Sequence, residues 1–251
     1  MEGPIAEYVM TAMLETVTGF SKLDAAYRNS GHFKPPFPSL VNNFAEVPFH
    51  GELAGKTVGI IGYGHIGAAV AKRALAFDMA VIGTARRPRP TPEGLEWLGT
   101  GEDVGRLLQE SDFVVLACAL TDETEGLIDA AALAQMKPSA VLVNVARAQV
   151  CDEAALFQAL HSREIGGAVV DVWWRQPTVA EPDVPGWENP AHRFDQLDNC
   201  FITSHSSGWT QAGTEGRRIE AIAENLDALA DGEPLQNVVA TGVAGAKLAK
   251  L

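Results

Sequence analysis

The chain has 251 residues, 47% hydrophobic and 20% charged, an ordinary balance for a globular protein that buries a sizeable core in one large domain or one domain with appendages. A formal net charge of −13 with no basic block excludes a general nucleic-acid binder or a binder of anionic membranes, and the longest apolar run, FVVLACAL from Phe113 to Leu120, is far too short for a membrane span. The start lacks a basic-then-apolar leader, and Cys118, Cys151 and Cys200 show no CxxC spacing, so the expectation is a cytoplasmic protein with buried thiols, neither disulfides nor a metal site.

In chain order, Ile5 to Arg28 carries the pattern of one long helix, followed by a connector rich in Pro and Phe, GHFKPPFPSLVNNFAEVPFHGEL, with no period. Apolar strand-like runs then come at Val58–Ile61, Met79–Gly83, Phe113–Ala117, Ala140–Val145, Gly167–Val172 and Asn199–Thr203. Helical patterns separate them at Ile66–Phe77, Asp103–Glu110, Asp129–Gln135 and Asp152–Ser162. This alternation predicts an α/β fold, a doubly wound parallel sheet with helices on both faces. A last amphipathic helix, Gly213–Ala230, precedes a small-residue tail, TGVAGAKLAKL.

The segment TVGIIGYGHIG, Thr57 to Gly67, runs a buried strand into a glycine-spaced turn and a helix, the arrangement that seats a dinucleotide pyrophosphate. Gly62 allows the tight turn, Gly64 lets backbone approach the phosphates, and Gly67 lets the helix pack on the sheet with its N-terminal amides facing the anion. An acidic residue that would hold a ribose 2′-hydroxyl is absent from the end of the second strand. Thr84 and Ala85 stand there, followed by Arg86, Arg87 and Arg89, which favours NADP, with NAD as the other option, because guanidinium groups match a 2′-phosphate. Further along, Arg147, Asp171 with Gln176, and His205 each follow a strand, so the strand tops offer a cation, a carboxylate, an amide and an imidazole. That set suits hydride transfer with acid/base help. Of the other histidines, His32, His50, His161 and His192 lie in loops or at helix ends without a partner pattern, and the His65 ring is a bystander in the glycine turn.

The ordered segments AEYVMTAMLE, GELAGKTVGIIGYGHIG, LTDETEGLI, MKPSAVLVNVARAQVCDEAAL, GAVVDVW and TSHSSG resemble the D-isomer-specific 2-hydroxyacid dehydrogenase family, which includes glyoxylate/hydroxypyruvate reductases, phosphoglycerate dehydrogenases and formate dehydrogenases. The resemblance implies a Rossmann sheet and NAD(P)-dependent hydride exchange with a small 2-oxo or 2-hydroxy acid. It implies Arg147 as the substrate-orienting cation, His205 as the general acid/base, Gln176 as its partner and Asp171 as a carboxylate near the nicotinamide. The cofactor contacts it implies are Tyr63, Gly64, His65, Ile66, Thr84, Arg86, Arg87, Ala119, Thr124, Val145, Ala146, Arg147, Asp171, His205 and Ser207. A homodimer is also expected by resemblance, with Phe33, Phe37 and Phe44 as candidate contacts.

Two departures from the family pattern stand out. Most members carry glutamate where this chain has Gln176; formate dehydrogenases carry glutamine, in a similar DVWxxQP run. An amide orients imidazole without raising its pKa, so weaker proton delivery is expected, and formate oxidation becomes an alternative chemistry. Members also usually carry roughly a hundred residues before the AExxxxxML helix that begins almost at Met1 here, which leads us to expect a cleft with one wall. The expected organisation is a hinge helix and connector over 1–50, a remnant of the substrate domain; a dinucleotide-binding domain over 51–212; and a return helix and tail over 213–251. A dinucleotide-binding sensor or scaffold without turnover is the remaining alternative.

Overall fold

The protein was analysed as a computed structural model, which describes residues 2–30, 50–175, 189, 191–210 and 213–238. Seven parallel strands form one sheet: β1 (Thr57–Ile61), β2 (Ala80–Thr84), β3 (Trp97–Gly99), β4 (Phe113–Leu116), β5 (Val141–Asn144), β6 (Gly167–Val170) and β7 (Cys200–Ile202). Their spatial order is β3-β2-β1-β4-β5-β6-β7, so the winding reverses between β1 and β4. A crevice opens there, outside the carboxyl ends of the strands.

The strands read as continuous apolar runs because both faces are covered. Successive side chains point to opposite sides, so Phe113, Val115, Val141 and Val143 join one core while Val114, Leu116 and Leu142 join the other. The first of these cores holds α1 (Glu2–Thr18), through Val9 and Met13, and α3 (His65–Leu75), through Val70 and Ala74. The second holds α4 (Val104–Glu110), α5 (Ala130–Leu133) and α6 (Glu153–His161), through Leu107, Leu133 and Leu156. Asp129 and Asp152 start α5 and α6 by accepting the amides of Ala132 and Ala155, at 2.8 and 2.7 Å.

Two features differ from the sequence reading. The expected helix from Ile5 to Arg28 is two helices, α1 and α2 (Phe20–Ser30), broken at Gly19, whose φ of +60° is left-handed. The edge strand β3 was not expected, because its three residues are half-buried and show no alternation. Helix α1 belongs to the same compact unit as the sheet, Glu2–Gly208. The chain from Trp209 onward belongs to a second unit, in which α7 (Thr214–Asp231) ends at the left-handed Gly232 and carries exposed Ile219, Ile222, Leu226 and Leu229. No helix among the described residues is long and apolar enough to cross a membrane. Phe33, Phe37, Phe44, His32 and the tail TGVAGAKLAKL lie outside the described residues.

Candidate active and cofactor site

The glycine turn begins as β1 ends. Gly62 adopts φ +97°, and a Cβ built on it would lie 2.5 Å from the backbone of Cys118, so this turn is pressed against the chain leaving β4. A Cβ on Gly67 would meet the Gly62 carbonyl oxygen at 2.7 Å. Gly64 is different: nothing lies within 4 Å of its would-be Cβ, which faces open space. The turn is fixed by the Thr84 carbonyl, which accepts the amides of Gly62 at 3.1 Å and Tyr63 at 2.7 Å. Helix α3 follows with no side-chain cap, leaving its first amides, from His65 and Ile66, to an anion or water. Thr84 itself is buried.

Past β2, the exposed Arg86 and Arg87 line a cavity of about 470 Å³ with Thr121, Asp122 and Glu123, from the loop after β4. Two carboxylates opposite two guanidinium groups were not part of the sequence reading. They lie in LTDETEGLI, where the expected cofactor contact is Thr124 alone. Arg89 does not line this cavity; it turns back over the Tyr63 ring, 5.2 Å from its centroid, and donates to the Tyr63 carbonyl. Ala119 is exposed at the start of that loop, and its carbonyl accepts the Thr124 hydroxyl at 2.7 Å. Thr124 also accepts the Thr121 amide at 2.8 Å, so its side chain is occupied in shaping the loop. A second cavity, of about 500 Å³, is lined by Val141, Gly167 and Asn199 at the amino ends of strands, the opposite edge of the sheet.

Because β5, β6 and β7 are parallel neighbours, the segments that follow them leave at one edge, bringing Arg147, Asp171 and His205 to the same side as the glycine turn. After β5, buried Asn144 shapes the next turn: its Oδ1 accepts the Ala146 amide at 3.0 Å and its Nδ2 donates to the Arg147 carbonyl at 3.2 Å. Val145 and Ala146 are buried, while Arg147 is exposed, with Nη1 donating to the Ala146 carbonyl at 2.7 Å. Asn144 is thus a positioning residue that the sequence reading passed over as part of an apolar strand.

Asp171 is fully buried, and three donors meet its carboxylate: the Thr203 hydroxyl at 2.6 Å and the amides of Ser206 and Ser207 at 2.8 and 2.9 Å. It is tied to the His205 loop on both sides, through Thr203 before the histidine and Ser206 and Ser207 after it. His205 itself is exposed, at a left-handed φ of +58° unusual for a residue with a side chain. Gln176 lies outside the described residues. The cysteines are free, with burial pushing the Cys200 thiol up to about 12 and the Cys118 and Cys151 thiols up as well, so none is a thiolate at neutral pH.

Comparison with known proteins places the fold. The chain is 38% identical over 185 residues to a glyoxylate reductase of Thermococcus onnurineus, an alignment covering 72% of this chain and 51% of that protein. It therefore spans about half the length of the curated relatives it matches. Among solved structures, a D-isomer specific 2-hydroxyacid dehydrogenase from Xanthobacter autotrophicus Py2 in complex with NADPH and MES superposes with a TM-score of 0.75 at 29% identity, covering 96% of this chain and 88% of that one. D-lactate dehydrogenase with NAD+ from Lactobacillus jensenii superposes with a TM-score of 0.71 at 29% identity, covering 96% of this chain and 69% of that one. The model of the D-isomer specific 2-hydroxyacid dehydrogenase, NAD binding domain, matches residues 10–207, and the chain belongs to that family.

Proposed function

We propose that this chain is the cofactor-binding part of an oxidoreductase that exchanges a hydride between NADP(H) and a small 2-oxo or 2-hydroxy acid of the glyoxylate or hydroxypyruvate kind, with NAD(H) the weaker cofactor. The observation that carries this reading is the shared edge: the glycine turn, Arg147 and His205 all leave the sheet on the side where its strand order reverses. The described residues fit the dinucleotide, with open space over Gly64, uncapped amides on α3 for the pyrophosphate, and Arg86 and Arg87 for a 2′-phosphate. Bound there, the dinucleotide supplies or accepts the hydride.

The rest belongs to the chain's own side chains. Arg147 holds the substrate carboxylate and polarises the adjacent carbonyl through its N–H donors. His205, as imidazolium, delivers a proton to the oxygen that gains charge during reduction and takes it back during oxidation. Gln176 orients that ring. A second reading, oxidation of formate, is favoured by glutamine at 176, since that reaction needs no proton transfer at an alcohol oxygen.

The test pairs binding with turnover. NADPH should bind in a fluorescence titration and be oxidised, only slowly by this chain alone, when glyoxylate or hydroxypyruvate is added. Arg147→Ala and His205→Ala should keep NADPH binding while losing at least a hundredfold in rate, within the range expected for a lost acid/base or substrate cation. Absence of binding to either cofactor, or full activity of His205→Ala, would overturn the reading, and carbon dioxide release from formate would select the second one. We further infer a cytoplasmic homodimer. Its support is three free cysteines and the exposed Phe20 and Tyr27 on α2, and light scattering would measure the mass.

A further inference from the structure

The carboxylate beneath the His205 loop is reached from a helix far away in sequence. The Tyr8 hydroxyl of α1 lies 2.5 Å from the Thr203 hydroxyl, which in turn donates to Asp171 at 2.6 Å. A threonine hydroxyl has one proton, and an ionised carboxylate only accepts. With the Thr203 proton committed to Asp171, Tyr8 has to be the donor in its own bond, so the three groups form a relay with one direction, Tyr8 to Thr203 to Asp171. Burial, with the Asp171 charge adding to it, pushes the Tyr8 hydroxyl above its ordinary value, which keeps that proton in place.

The relay frames His205 on both sides. Before it, the Thr203 carbonyl accepts the Trp173 indole N–H at 2.8 Å. After it, the Ser206 and Ser207 amides both donate to Asp171. Between these anchors stands the one residue of the loop at positive φ, His205, a strained conformation that persists where its surroundings hold it. Charge-assisted bonds to a buried carboxylate are of the strength needed to hold it.

We propose that Tyr8 and Thr203 are positioning residues for the hydride-transfer reaction: through Asp171 they fix the loop that presents His205, so that α1 sets the placement of the acid/base. This rests on the functional reading above.

The test uses the whole chain with Tyr8→Phe, Thr203→Val and Thr203→Ser. Removing the Tyr8 hydroxyl or the Thr203 hydroxyl should speed hydrogen exchange of the Ser206 and Ser207 amides about tenfold. The same variants should lower kcat with glyoxylate about tenfold, with the NADPH dissociation constant and KM within about twofold of the parent. Thr203→Ser, which keeps the donor, should restore slow exchange. Unchanged exchange in folded Tyr8→Phe would overturn the proposal, as would Thr203→Ser behaving like Thr203→Val. Loss of NADPH affinity in step with kcat would overturn it too, marking a general loosening of the edge. If Thr203→Val fails to fold, Tyr8→Phe decides the matter, since the ring and its packing remain. Failure to bind NADPH, or indifference of the rate to His205→Ala, would count against the functional reading instead, and the exchange measurement still decides whether the relay holds the loop.

Discussion

An alanine at position 62 would put its Cβ 2.5 Å from the backbone of Cys118, at a φ of +97° that side chains rarely adopt, with neither neighbour free to retreat. Gly62→Ala should therefore lower stability by about 3 kcal/mol or more in urea unfolding and abolish NADPH binding. Gly64→Ala isolates the other half of the turn's role. Its φ of −106° suits any residue and its Cβ meets nothing, so stability should change by no more than about 0.5 kcal/mol, while NADPH affinity falls at least tenfold as the methyl enters the phosphate's space. Replacing both Arg86 and Arg87 with serine removes charge-assisted donors to the 2′-phosphate and should weaken NADPH by about tenfold to a hundredfold with NADH little changed, read by parallel titrations. At this scale the sequence showed what sits inside a continuous motif: the glycines, the arginines, Arg147 and His205. It did not show Tyr8 against Thr203, because those residues are 195 positions apart and a hydrogen bond across that separation leaves no local pattern. Asn144 escaped notice for another reason: it ends an apolar strand, where its amide reads as a strand terminus rather than as the brace of the Arg147 turn.

Between elements, Asp112 ties the amino end of β1 to the segment before β5: one carboxylate oxygen accepts the Thr57 amide at 2.8 Å, the other the Lys137 ammonium at 2.9 Å. Burial raises its pKa, but the Thr57 and Lys137 bonds more than offset that and hold the carboxyl below its ordinary value. A depressed folded pKa means the contribution is complete above the unfolded value of about 3.9 and disappears as pH falls through the lower folded value. Asp112→Asn should thus cost about 1 kcal/mol at pH 7, and the penalty should shrink toward pH 3, measured by urea unfolding at both. The strands around this tie were readable because each is an unbroken apolar run, and a run covered on both faces needs no alternation. β3 was not readable, since three half-buried residues at a sheet edge carry neither run nor period. The α1–α2 boundary was missed because a single glycine inside an amphipathic pattern is compatible with a continuous helix, and only its positive φ marks the break.

Across the whole molecule, all seven strands run the same way, so every strand's carboxyl end reaches one edge, and ligand binding at that edge draws on the stability of the entire Glu2–Gly208 unit. That makes cofactor choice measurable without turnover. A ligand that binds only the folded state adds about 2.7 kcal/mol at a hundred times its dissociation constant. A unit of this size gains about 2–4 °C in Tm per kcal/mol, so NADPH at that excess should raise the melting temperature by about 5–10 °C. If the two arginines give NADPH a tenfold advantage, NADH at the same concentration sits at ten times its own constant and adds about 1.4 kcal/mol, a shift of about 3–6 °C. The Arg86 and Arg87 double replacement should bring the NADPH shift down to the NADH value or below it, with the melting temperature of the free protein unchanged, because both side chains are exposed. Equal shifts for the two cofactors in the parent chain would remove the argument for a 2′-phosphate pocket. They would assign Asp122 and Glu123, on the other wall of that cavity, the role of offsetting the guanidinium charge.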